Sequence, residues 1–80
     1  MSVFNDNIKI FSSIILPEEH SFYKVLWRVS NGSRSKAMEI AKKVLKGYNL
    51  PESFTEDFEN IFDAACADAN GGIEVEWRED

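Results

Sequence analysis

Only a handful of side chains in this sequence have the chemistry of a nucleophile, a general base or a metal ligand, and none sits in a pattern that would activate it. His20, the sole histidine, follows Glu18 and Glu19. A general base needs a group that orients it and a pocket that excludes water, and two adjacent glutamates supply neither. His20 therefore reads as a solvated turn residue. Cys66 lies between Asp63 and Asp68 on an apparent helix. Negative neighbours raise a thiol pKa, the reverse of what a nucleophile requires, so Cys66 reads as a small buried hydrophobe. One cysteine and one histidine make no zinc set.

The carboxylates are more suggestive. Glu52, Glu56, Glu59 and Asp63 recur at i, i+4, i+7 and i+11, which places them on one face of a continuous helix. Such a face is either solvated or turned toward a cationic partner. The stretch Asp68-Ala69-Asn70-Gly71-Gly72 lacks the alternating ligands and closing glutamate of a calcium loop, and reads as a helix stop. Asn31-Gly32-Ser33 is too short to cradle a phosphate. The expectation is no cofactor, no metal and no enzymatic activity.

The elements that must carry these residues follow from period and punctuation. Residues 1–7 read as an N-terminal arm. Residues 8–16 are β-branched and aromatic, without glycine or proline, and read as a strand with Phe11 and Ile15 on one face and Ile8, Ile10 and Ile14 on the other. Pro17-Glu18-Glu19-His20 reads as a hairpin connection. Residues 21–30 read as the central strand, with Tyr23, Val25, Trp27 and Val29 toward the core and Phe22, Lys24, Leu26 and Arg28 away from it.

From Ser33 the period changes to that of a helix over 33–46, with the stripe Ala37, Ile40, Ala41, Val44, Leu45 and Tyr48. Ser33 is its expected cap and Gly47 its expected left-handed terminator. A second helix is predicted over 53–70, capped by Ser53 or Thr55, with Phe54, Phe58, Ile61, Phe62, Ala65 and Ala69 inward. Ile73-Glu74-Val75-Glu76-Trp77 alternates, so 73–78 reads as a third strand. The predicted fold is α+β: a two-layer ββααβ arrangement, with a three-stranded antiparallel sheet and two helices packed on one face. Placing the third strand beside the second sets Glu74 and Glu76 opposite Lys24 and Arg28.

Composition bounds the functional reading. Eighty residues with 44% hydrophobic content form one small core. A lone cysteine forms no internal disulfide, no apolar run approaches the length of a membrane span, and Met1–Asp6 does not open like a signal peptide. An intracellular, cytoplasmic protein without membrane association is expected. The net charge of −5 conceals an asymmetry: −2 over residues 1–22, +6 over 23–50 and −9 over 51–80.

Two surfaces follow from this segregation. The acidic one is Glu52, Glu56, Glu59, Asp63, Glu74 and Glu76, suited to the basic surface of a nucleic-acid-processing protein. Small acidic inhibitors made by phages against nucleases or defence complexes, anti-CRISPR proteins among them, provide an analogy of size and charge without a shared motif. The other surface is the uncovered sheet face, where Phe11, Ile15, Phe22 and Leu26 could form a homodimer or accessory-subunit interface. The competing reading is direct nucleic-acid binding through Lys24, Arg28, Arg34, Lys36, Lys42, Lys43 and Lys46. The overall negative charge weighs against it.

Overall fold

In a computed structural model, which describes residues 3–15 and 22–78, the chain is all-helical. The order is α1 (Val3–Ile15), α2 (Phe22–Val29), α3 (Arg34–Leu45), α4 (Glu52–Glu56) and α5 (Phe58–Ala69). No sheet forms among the described residues, where the β-structure recorded is an isolated parallel bridge between Ser33 and Arg78. The predicted ββααβ sheet is thereby overturned, and with it the strands at 8–16, 21–30 and 73–78. The proposed hairpin and His20 lie outside the described residues.

The reason α1 is a helix is visible in the same residues that suggested a strand. Phe4, Ile8, Phe11 and Ile15 recur at four, three and four positions, a helical stripe running through the β-branched stretch. Phe11 is fully buried at 0% exposure, and Phe4, Ile8, Ile14 and Ile15 pack around the core it belongs to. The N-terminal arm is no separate element either, because Val3 to Asn7 form the first turns of α1. Buried Asn7 donates from Nδ2 to Ser53 Oγ at 3.2 Å, so Ser53 answers α1 rather than capping a helix. The N-cap of α4 is Pro51, which has no side-chain acceptor to offer.

Among the described side chains of α2, Leu26 is buried, with Ser30 buried one turn further on, Trp27 half-buried, and Lys24, Arg28 and Val29 outward. The strand reading had placed Leu26 outside and Val29 inside. The helix ends in a Schellman turn: Gly32 N–H donates to Trp27 O at 2.7 Å and Asn31 N–H to Arg28 O at 3.2 Å, with Asn31 at φ 56 and Gly32 at φ 79. Ser-Asn-Gly thus stops a helix, where it had read as the end of a strand.

Ser33 caps α3, accepting from Lys36 N–H at 3.2 Å. Ala37, Ala41 and Leu45 form its buried stripe, and the small alanines let α1 and α2 approach closely. Val44 and Tyr48, predicted inward, are exposed. Gly47 is not in the left-handed region, and α3 closes instead through Lys46. The predicted helix over 53–70 is two helices, broken at Asp57 (φ −111, ψ 23). Its end is a second Schellman turn, in which Gly72 N–H reaches Ala67 O at 2.9 Å and Gly71 N–H reaches Asp68 O at 3.2 Å.

The segment after α5 crosses back over the α2–α3 elbow. Arg78 N–H donates to Gly32 O at 2.7 Å, Trp27 Nε1–H donates to Glu76 O at 3.0 Å, and Trp77 stacks on Phe62 with centroids 5.8 Å apart. A Cβ on Gly32 would stand 2.7 Å from Arg78 Cδ and 2.8 Å from Trp27 Cζ2, in a backbone conformation that L side chains avoid. Gly32→Ala should therefore cost about 2–4 kcal/mol in urea unfolding, combining strained backbone with overpacking. Gly47→Ala, where nothing lies within 4 Å, should be neutral or stabilise by up to about 1 kcal/mol.

Candidate functional site

The charged constellation joined by ion pairs among the described residues centres on Arg34, the first residue of α3. Its position follows from the Ser33 cap, which starts the helix there and aims the guanidinium across to α5. Nε donates to Asp63 Oδ1 at 3.0 Å and Nη2 to Asp63 Oδ2 at 2.8 Å, a two-pronged grip on one carboxylate. Nη2 also reaches Glu59 Oε1 at 2.9 Å. Glu59 and Asp63 stand one turn apart on α5, so a single planar fork spans both. The hydrogen bonds to Asp63, then those to Glu59, hold the Arg34 pKa well above its ordinary value. The pair is nonetheless open to solvent: the Glu59 and Asp63 side chains are 67% and 49% exposed, against 32% for Arg34.

The other predicted acidic residues are placed differently. Glu52 and Glu56 are exposed on α4, and the helix break at Asp57 separates them from Glu59 and Asp63, so the four do not follow one helical face. Glu74 and Glu76 belong to the C-terminal segment. They share the walls of a cleft of about 600 Å³ with Lys24, Trp27 and Arg28. The charge argument placed these four residues as neighbours across a pair of strands. They are neighbours across a groove between α2 and an irregular segment, and the cross-strand pairing is withdrawn with the sheet. Glu74 also lines a smaller cleft with Arg34, Asp63, Cys66, Val75 and Trp77.

The apolar interface does not survive as a surface. Phe11 and Leu26, at 0% and 3% exposure, are core residues, and Ile15 packs against the same core. Phe22 opens α2, and the sheet face on which it was placed does not exist. The homodimer face built on these residues is withdrawn at Phe11 and Leu26, which are buried. The basic set is likewise divided: Arg34 is committed to α5, Lys24 and Arg28 flank the first cleft, and Lys36, Lys42, Lys43 and Lys46 are exposed along α3. Lys42 Nζ sits 5.3 Å from the centroid of the Phe58 ring.

Sequence reasoning passed over Arg34 as a structural cation. A signal existed: the N-terminal turn of a helix carries the positive end of the dipole, so an arginine beside the cap is locally unfavourable unless something else holds it. Cys66 is buried against α5's neighbours, and that burial, with Asp63 adding to it and Arg34 opposing, pushes its thiol up to about 12. No three histidine, cysteine or carboxylate side chains converge to hold a metal among the described residues. None of the helices described is long and apolar enough to cross a membrane. Comparison with protein-family models, curated proteins and solved structures finds no match to the chain.

Two outcomes follow. Arg34→Gln should destabilise the fold by about 1 kcal/mol in low salt, with the difference shrinking as salt rises, since the network is partly solvated. The Cys66 thiol should resist a disulfide reagent at pH 8 in the folded protein and react fully in denaturant. Because its folded pKa lies above its ordinary 9.0, the stability it contributes is complete below pH 9 and is lost as pH rises toward 12. In urea titrations the stability advantage of wild type over Cys66→Ala should be largest below pH 9 and shrink as pH rises toward 12.

Proposed function

We propose that the chain is a non-enzymatic binding protein, an inhibitor or adaptor that presents the carboxylates of α4 and α5 to a basic surface on a nucleic-acid-processing protein. The observation that supports this reading is the Arg34 grip. Glu59 and Asp63 are held in place by charge-assisted hydrogen bonds while their side chains remain 67% and 49% exposed. An array fixed before encounter loses little side-chain freedom on binding, so more of the Coulombic attraction is expressed as affinity. Arg34 cancels one of the four charges on Glu52, Glu56, Glu59 and Asp63, leaving a net anionic patch. Glu74 and Glu76, matched by Lys24 and Arg28 across their cleft, contribute less to it.

The partner is defined by charge complementarity. A groove that follows a phosphate backbone concentrates lysine and arginine, and a rigid anionic face can occupy it while steering the encounter from a distance. Analogy with small phage inhibitors remains one of size and charge.

The test uses Glu52→Lys/Glu56→Lys, two exposed positions outside the Arg34 network. Immobilised wild-type protein should retain basic nucleic-acid-binding proteins from host extract, and they should elute as salt rises. The double variant, folded by circular dichroism, should retain at least tenfold less of them, as expected for a loss of about 1.4 kcal/mol. Equal retention of the same proteins by both forms would remove the α4–α5 patch as the binding face.

A further inference from the structure

The grooves of this surface differ in one respect that composition does not show. One is charge-balanced, with Lys24 and Arg28 facing Glu74 and Glu76, and two are net negative, with Lys9 facing Asp6 and Asp68 in one and Arg34 facing Asp63 and Glu74 in the other. A further groove, of about 480 Å³, lies between the C-terminal half of α3, the loop 46–51 and α4, and it is lined by Lys42 and Lys46 without a carboxylate. In a chain of net charge −5, this is a local inversion of sign. Its floor is apolar, with buried Leu45 and Phe54 and partly buried Leu50 and Phe58. Tyr48 stands over it 53% exposed.

We propose that this groove receives an acidic segment of a partner protein, anchored by an aromatic or aliphatic side chain. Lys42 and Lys46 are one turn apart on α3, so both ammonium groups flank the same side of the groove and can meet carboxylates spaced along a peptide. The volume admits one or two large side chains, and Tyr48 offers the rigid amphipathic contact that recurs at the centres of protein interfaces. Leu50, Phe54 and Phe58 supply the desolvated floor against which an anchor gains most. Lys42, already over the Phe58 ring at 5.3 Å, stands where it can turn from that ring to a carboxylate at the groove's edge.

A nucleic acid fits less well. Only two lysines and no arginine line the groove, too few to follow a phosphate backbone, and the long-range field of the chain repels a polyanion. A short acidic peptide carries less charge and gains from the floor. The groove is open along its length, which suits a segment laid across it better than a small molecule that needs enclosure. The groove shares α4 and α5 with the anionic patch but is lined by charges of the opposite sign, Lys42 and Lys46.

The probe is a nine-residue peptide of glutamates around a central Leu-Phe pair, titrated into uniformly 15N-labelled full-length protein. Amide shifts should move and saturate at Lys42, Lys46, Tyr48, Leu50 and Phe58. Affinity should fall about tenfold or more in Lys42→Glu/Lys46→Glu, and several-fold in Tyr48→Ala, with the rest of each variant's spectrum unchanged. Replacing the Leu-Phe pair by alanines should weaken binding by a similar factor. The proposal is overturned by perturbations centred on Lys24 and Arg28 instead. It is equally overturned by no saturation at millimolar peptide, by equal binding of a lysine-for-glutamate peptide, or by oligothymidylate or laurate binding more tightly than the peptide.

Discussion

The burial of Phe11 is the constraint on which the rest of the fold depends. It is the point at which the N-terminal helix meets the C-terminal half of the chain. Its ring lies 6.5 Å from Phe54, 6.2 Å from Phe58 and, edge to face, 5.9 Å from Phe62. Phe58 is within reach of both Phe54 and Phe62, so the four rings make one connected cluster rather than separate pairs. Trp77 continues the stack from Phe62. Burying each such ring is worth about 1.5–3 kcal/mol before entropy, and favourable ring geometry adds about 0.5–1.5 kcal/mol per pair. In a chain this short, a cluster of that size is a large share of the whole core.

Electrostatics is arranged around that cluster rather than within it. Arg34 ties the start of α3 to α5 by carboxylates on the outer side of the helix whose inner side carries Ile61, Phe62 and Ala65. The contact therefore orients a helix that apolar packing already holds, and its own contribution to stability is modest because water reaches every member. Lys24 and Arg28 of α2 share a cleft with Glu74 and Glu76, and Arg34 of α3 pairs with Glu59 and Asp63 of α5. That is how a chain with +6 in its middle and −9 at its end avoids opposed blocks of like charge. The groove of Lys42 and Lys46, lined without a carboxylate, departs from this pairing.

The helices α3 and α5 were legible in the sequence because only one period fits their apolar residues, and because Ser33 and Asn70-Gly71-Gly72 punctuate them unambiguously. In α1 and α2 two periods fit. Isoleucines at 8, 10, 14 and 15 and Phe11 satisfy both alternation and a helical stripe, and β-branched content tipped the reading the wrong way. Strand propensity reflects packing context more than backbone preference, and here the Phe11 cluster supplies a helical context. The break at Asp57 was hidden because the stripe from Phe54 to Phe62 keeps its spacing across it. Of the site, the adjacency of Glu59 and Asp63 follows from their four-residue spacing alone. Arg34 follows only in part: a cation beside the Ser33 cap calls for an anionic partner, but nothing local to it places that partner on α5. The proximity of Lys24 and Arg28 to Glu74 and Glu76 came from complementary charge, which constrains neighbours without specifying the backbone between them.

The way residues 76–78 seal the elbow between α2 and α3 has a bearing on biosynthesis. The indole N–H of Trp27 and the carbonyl of Gly32 acquire their partners, Glu76 O and Arg78 N–H, only from residues translated long after them. While those residues are still inside the ribosomal tunnel, the elbow is open and Phe62 lacks the Trp77 ring stacked on it. Helices can form during elongation, since their hydrogen bonds are local. Native packing of the elbow must therefore wait for residues 76–78 to emerge, well after the two helices it joins.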